Sequence, residues 1–118
     1  MIQTRIHHDT LTVRFGPWAR LFTRTAAVRV PLAAIAGVSR LDRPLTAAKG
    51  IRFGLLVTGV VKIGTWTSFS GVKRLVVARR DVPGLRITLK GRVAGHDELV
   101  LSLPDADELL RRLTAVTA

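Results

Sequence analysis

Alternation of apolar and polar residues with a period of two is the dominant signal between Ile2 and Leu103, and it constrains the fold more than any other feature of the chain. In an extended strand successive side chains point to opposite faces, so such a segment puts one face in a core and leaves the other in water. Ile2, Thr4 and Ile6 oppose Gln3, Arg5 and His7; after a turn at His8, Asp9 and Thr10, the residues Leu11, Val13 and Phe15 oppose Thr12 and Arg14. This predicts an N-terminal hairpin with one buried face. Gly16-Pro17 breaks the ladder, because proline lacks the donor that a strand needs. The alternation resumes over residues 26–32 as a third strand, and residues 35–41 are expected to form a fourth. Arg43, Pro44 and residues 46–50 form the best loop candidate. Gly54, Gly59 and Gly64 then recur in a strand context, where glycines serve bulges and sharp bends. Arg74, Val76 and Ala78 oppose Leu75 and Val77; Leu85, Ile87 and Leu89 oppose Arg86, Thr88 and Lys90; Leu99, Leu101 and Leu103 oppose Val100 and Ser102. Turns are expected at residues 81–84 and 91–97, which carry Pro, Gly and Asp.

Only the end changes period. Asp105 after Pro104, with Glu108 three residues on, forms a capping box, and Asp107 and Glu108 suit the positive end of a helix dipole. Ala106, Leu109, Leu110 and Leu113 recur at helical spacing with Arg111 and Arg112 opposite, which predicts an amphipathic helix over about residues 105–115. The expected fold is mainly β: seven to eight short antiparallel strands across about residues 2–103, closed as a bent barrel or a sandwich and capped by one C-terminal helix. At 118 residues the chain has room for a single domain.

Charge narrows the partners. Residues 1–96 carry 17 Lys and Arg against three acids, a net of +14; residues 97–118 carry two Arg against five acids, a net of −3; the sum is +11. A body this positive attracts anionic surfaces, whether lipid headgroups, acidic proteins or nucleic acid. The absence of cysteine removes disulfides, thiolate nucleophiles and cysteine metal sites. Residues 1–15 alternate rather than run apolar as a signal peptide does. The apolar run of residues 53–61 is far shorter than the roughly 20 residues that cross a bilayer. A cytoplasmic protein is expected, soluble or peripheral at the inner membrane.

Three short segments carry a resemblance: Val30-Pro31-Leu32 followed by Ile35, Gly64-Thr65, and the closing stretch from Leu101 through Ser102, Leu103, Pro104, Asp105, Ala106, Asp107 and Glu108 to Leu109. In their order along nearly the whole chain they resemble the bacterial pleckstrin-homology-like domains. The resemblance implies a bent, partly open antiparallel barrel closed by a C-terminal helix. In eukaryotic relatives phosphoinositides are held by spaced Lys and Arg around the first hairpin turn. Here that turn is His7-His8-Asp9-Thr10, with Arg5 and Arg14 only at its approaches, so the resemblance does not carry inositol-lipid recognition to this chain.

No catalytic or metal constellation emerges from spacing. His7 and His8 are adjacent and should point to opposite faces of a strand, away from any shared ion. His96 sits in a Gly-rich turn. Gly54, Gly59 and Gly64 lack the Gly-Lys-Ser/Thr and following helix of a phosphate loop. Ser39, Ser68, Ser70 and Ser102 lack a nucleophile-elbow context and a base placed to activate them. A non-enzymatic protein without cofactor or metal is expected. Trp66, Phe69, Lys73 and Arg74 interleave aromatic and basic residues across one turn; they could meet lipid headgroups or stack a base, or the aromatics could simply fill the core. Arg79, Arg80, Arg86, Lys90 and Arg92 form a second basic concentration, which joins the first in a basic rim if the turns share one end. Lys73, Arg74, Arg79, Arg80 and Trp66 are therefore the candidate residues for an anionic partner. The expected function is that of a binding or adaptor module engaging a protein partner or an anionic membrane surface; the alternative is nucleic-acid binding through the same surface. Open strand edges also permit an oligomer or strand addition by a partner.

Overall fold

The computed structural model describes residues 2–23, 25–47, 51–57, 60–68, 70–93 and 95–117. Within them nine strands form two sheets. β1 (Ile2–His7), β2 (Thr10–Phe15) and β3 (Ala27–Pro31) make an antiparallel three-stranded sheet in the order β1-β2-β3. The six-stranded sheet contains β4 (Ile35–Leu41), β5 (Ile51–Val57), β6 (Val61–Thr67), β7 (Lys73–Arg79), β8 (Gly84–Val93) and β9 (His96–Ser102). Its order is β4-β8-β9-β7-β6-β5. The β-rich architecture with a C-terminal helix agrees with expectation. The strand arrangement differs in number, nine, and in one pair, β7 with β9, which runs parallel. The parallel pair has a simple origin. β7 is followed by β8 one position away, and the hairpin from β8 returns β9 into the gap between them.

The core lies between the sheets. Leu11, Val13 and Phe15 of β2 and Val28 and Val30 of β3 meet Leu75, Val77, Leu85, Ile87, Leu99 and Leu101 from the larger sheet. Each large apolar side chain withdrawn from water in this way contributes about 1.5–3 kcal/mol. α2 (Ala106–Thr117) starts within a residue of the expected position and runs slightly further; it brings Ala106, Leu109 and Leu113 into the same core. It packs beside β4, where Arg40 Nε reaches Asp107 Oδ1 at 2.7 Å.

The break at Gly16-Pro17 is more than a turn. Pro17 opens a short helix, α1 (Pro17–Thr23), in which its fixed φ suits the first helical position and its missing N–H leaves no bond unmade. The Gly16 carbonyl accepts from Arg20 N at 2.8 Å, and fully buried Ala19 sits in the core. Gly54 and Gly64 face each other across β5 and β6 with φ of 153° and 144°, values open to glycine, and the pairing runs through both without a register shift rather than through the expected bulge. Gly59 and residues 48–50 of the predicted loop lie outside the described residues.

The larger sheet is buried on both faces at its centre, so β7 and β9 do not show the wet-and-dry alternation read from their sequences. On the outer face, Trp66, Val76, Ala78 and Val100 form a second small core with Leu41 and Leu45. The 3₁₀ turn Pro44–Ala47 supplies Leu45 and lies against β7 and β9, and Lys62 Nζ donates to the Leu45 carbonyl at 2.8 Å.

Candidate functional site

Pairing along the strands fixes where each candidate residue stands. Trp66 is buried under the 3₁₀ turn, with 3% of its surface exposed, and its neighbours are aliphatic. Lys62 Nζ stands 6.0 Å from its ring centroid. Trp66 is therefore core. Phe69, its partner in the sequence cluster, lies outside the described residues.

Arg74 pairs with Trp66 on one side and Glu98 on the other. Its Nε donates to Glu98 Oε1 at 3.3 Å. From the strand on the far side, Arg86 Nε approaches the same oxygen at 2.9 Å, but its N–H finds no acceptor in line. Two guanidiniums thus share one buried carboxylate on the outer face of the sheet. The Arg74 charge is engaged within the fold.

Lys73 is held by its backbone: its N–H donates to Asp97 Oδ2 at 3.0 Å. Asp97 Oδ1 also pairs with Arg92 Nε at 3.4 Å, and Arg92 Nη2 donates to the Gly71 carbonyl at 3.2 Å. Together these tie the β6–β7 turn to the β8–β9 hairpin. The Lys73 amide, ahead of the Arg92 charge, holds the Asp97 carboxyl below its ordinary value of 3.8. A carboxyl depressed by folding stabilises the native state above its unfolded pKa and loses that contribution as pH falls through the folded value. We therefore expect Asp97→Asn to be less stable than the parent at neutral pH. The difference should close as pH is lowered below about 4, as read by urea unfolding across pH 2–7. A gap of constant size throughout would refute this role for the carboxylate.

Arg79 and Arg80 stand at the opposite end of β7 from Lys73, roughly 20 Å away at about 3.3 Å per residue. They line a smaller groove of about 370 Å³ with Asp42, Arg43, Pro44, Leu45 and Asp81. Arg80 pairs with Asp81 at 3.5 Å. Arg79 and Arg80 therefore stand apart from Lys73 and Arg74, whereas Arg92 of the second concentration lies at the Lys73 end.

The strongest convergence of cations lies elsewhere, on the outer face of the three-stranded sheet. The register sets Arg5, Thr12 and Arg29 in one cross-strand row, flanked by a row of Gln3, Arg14 and Ala27 and a row of His7, Thr10 and Pro31. Arg5, Arg14 and Arg29 are exposed. Adjacent strands are about 4.8 Å apart, so Arg5 and Arg29 are separated by roughly 10 Å at the backbone. No acid stands in any of the three rows. Asp9 and Asp105 line, together with the three arginines, a groove of about 950 Å³. Neither carboxylate pairs with the three arginines among the described residues. At 10 Å in water each like-charge pair costs about 0.4 kcal/mol, so the fold tolerates the cluster unaided.

At one corner the hairpin turn, with His8 at φ 55°, swings the His7 and His8 rings together, their centroids 4.1 Å apart. The opposite-face geometry expected for them does not hold, because the strand ends at His7. Among the described residues no group of three or more His, Asp or Glu is placed to hold a metal ion. Likewise no helix among them is long and apolar enough to cross a membrane.

Sequence reading placed Arg5 and Arg14 at the approaches of the first turn but did not bring Arg29 to them. Its arrival depends on the β2–β3 register, set across α1 and the residues after it. In comparisons with protein-family models, curated proteins and solved structures, nothing matches this chain.

Proposed function

We propose that this chain is a non-enzymatic binding module of pleckstrin-homology-like type, which engages an anionic partner through the outer face of its three-stranded sheet. One observation carries the reading: Arg5, Arg14 and Arg29 converge from three strands on an open groove, and among the described residues no acid pairs with them. Guanidinium groups present planar, bidentate donors suited to carboxylate and phosphate, and Thr10, Thr12 and Gln3 supply further hydrogen-bonding groups between them. The family likeness draws support from the β-sandwich with its C-terminal helix, while the parallel β7–β9 pair departs from an all-antiparallel barrel. The partner is an acidic protein surface or an anionic leaflet, which places the module in the cytoplasm or at the inner membrane. A groove edged by Arg79 and Arg80 is the second location for such contact, favoured by the exposure of both residues.

Binding to polyglutamate, to vesicles with and without anionic lipid, and to duplex DNA tests the reading. Each arginine near a negative surface contributes about 1 kcal/mol, so a triple Arg5→Ala, Arg14→Ala and Arg29→Ala variant should bind anionic targets on the order of 100-fold more weakly. Arg79→Ala with Arg80→Ala should weaken binding less than the triple variant, and a larger loss in this pair would move the site to the second groove. If the triple variant binds as the parent does, the face is not the site. A steep salt dependence with preference for DNA over the other targets would instead assign the surface to nucleic acid.

A further inference from the structure

The arginine face borders an open strand edge, and the two edges of the three-stranded sheet are not alike. His7 and Thr10 close a two-residue turn, so they form the hydrogen-bonded pair at the hairpin end. Alternate residues of β1, namely Ile2, Thr4 and Ile6, then aim their N–H and C=O groups away from β2, at the free edge. The same alternation carries through β2, where Phe15 N donates outward to the Ala26 carbonyl at 3.0 Å and Leu32 N donates to the Asp9 carbonyl at 2.7 Å. On β3 the outward positions are Ala27, Arg29 and Pro31, and proline removes one donor from that edge. In the larger sheet, β4 is bulged between Ile35 and Gly37 and packed by α2, and β5 is packed by α1. β1 carries no proline or bulge and pairs only with β2.

Resting on the reading of the arginine face as an anion-binding surface, we propose that β1 accepts an extended acidic peptide as a fourth strand, in which acidic residues alternate with apolar ones. Both halves of that pattern come from β1. On its outer face the added strand lies beside Gln3, Arg5 and His7, with Arg14 one strand further in, which selects carboxylates. On its inner face it lies beside Ile2, Thr4 and Ile6, of which the isoleucines are half-buried against the core, and this selects apolar side chains that extend it. A second copy of this chain is a poorer occupant, since β1 against β1 would set two arginine faces side by side.

The probe is an acetylated, amidated peptide of four Glu-Val repeats, measured by fluorescence anisotropy with the full chain. It is compared with a block peptide of four Glu followed by four Val, and with two N-methylated versions. N-methylation on valine removes the donors that face β1 if the peptide adds antiparallel, and N-methylation on glutamate does so if it adds parallel. The alternating peptide should bind at least tenfold tighter than the block peptide. One of the two N-methylated sets should bind at least tenfold more weakly and the other close to the parent peptide. Arg5→Glu, an exposed substitution, should weaken peptide binding at least tenfold and gain affinity for a Lys-Val repeat. Equal binding of alternating and block peptides, or equal binding of both methylated sets, overturns strand addition. If anionic vesicles or polyglutamate still bind in an Arg5-, Arg14- and Arg29-dependent way, only strand addition falls and the anion-binding face stands. Sedimentation showing a dimer that Thr4→Pro dissociates would assign the edge to a second copy and overturn the proposal.

Discussion

Gly84→Ala is expected to destabilise the chain by about 3 kcal/mol, whereas Gly37→Ala should stay within about 0.5 kcal/mol of the parent. Gly84 opens β8 on the outer face of the large sheet, opposite Ser102 of β9 and Leu41 of β4. A methyl there would overlap the Leu101 carbonyl oxygen and stand 2.8 Å from Pro44 Cγ. Neither neighbour can yield cheaply. Moving Leu101 opens the β8–β9 ladder at the centre of the sheet, beside the bond from Leu103 N to the Pro83 carbonyl at 2.8 Å. Moving Pro44 lifts the 3₁₀ turn that holds Leu45 over Trp66, Val76 and Val100. Gly37 has no atom within 4 Å of the same added methyl and so reports the effect of glycine replacement in a strand without a clash. Thermal unfolding separates the two, with a fall in Tm on the order of 10 °C expected for Gly84→Ala. A fall of similar size for Gly37→Ala would remove the close approach as the cause.

Gly84 also shows where a linear reading loses information. In sequence it closes a turn rich in Pro and Asp, and turn chemistry accounts for it fully. Its tight packing depends on Pro44, forty residues away, which lands on it only because β4 pairs with β8. The period-two signal is legible where one face meets water: β1 to β3 and most of β8 follow it, β4 departs from it at its bulge, and α2 follows its helical period. It failed for β7 and β9, because a segment of the chain covers their second face, and alternation carries no information once both sides are dry. Pro17 misled in a different way, since the residue that ends a ladder also begins a helix. The same limit governs the site. Proximity in sequence linked Trp66 to Arg74 and Arg79, yet along an extended strand neighbours separate quickly, and cross-strand registry decides which charges meet. Arg5, Arg14 and Arg29 meet because β1, β2 and β3 are adjacent.

Glu98→Ala should cost about 3 kcal/mol, while the triple replacement Arg74→Met, Glu98→Leu and Arg86→Met should lie within about 1 kcal/mol of the parent or above it. Glu98 is 8% exposed and stands between two guanidiniums on flanking strands. Its removal leaves Arg74, whose side chain is 19% exposed, without its acceptor in a partly desolvated place. Arg86 is 38% exposed and can turn to water, so the larger share of the loss falls on Arg74. The triple replacement removes all three charges together, and its apolar side chains extend the small core of Trp66, Val76 and Val100. Urea unfolding of both variants distinguishes a structural ion cluster from a pair of surface contacts: a loss under about 0.5 kcal/mol for Glu98→Ala would place these charges in water. The outcome bears on function as well. With Arg74 engaged by Glu98, weak binding by an Arg74→Ala variant would report a disturbed sheet rather than a lost contact with a partner. The exposed arginines of the three-stranded sheet, which form no ion pair among the described residues, are where charge removal reads binding directly.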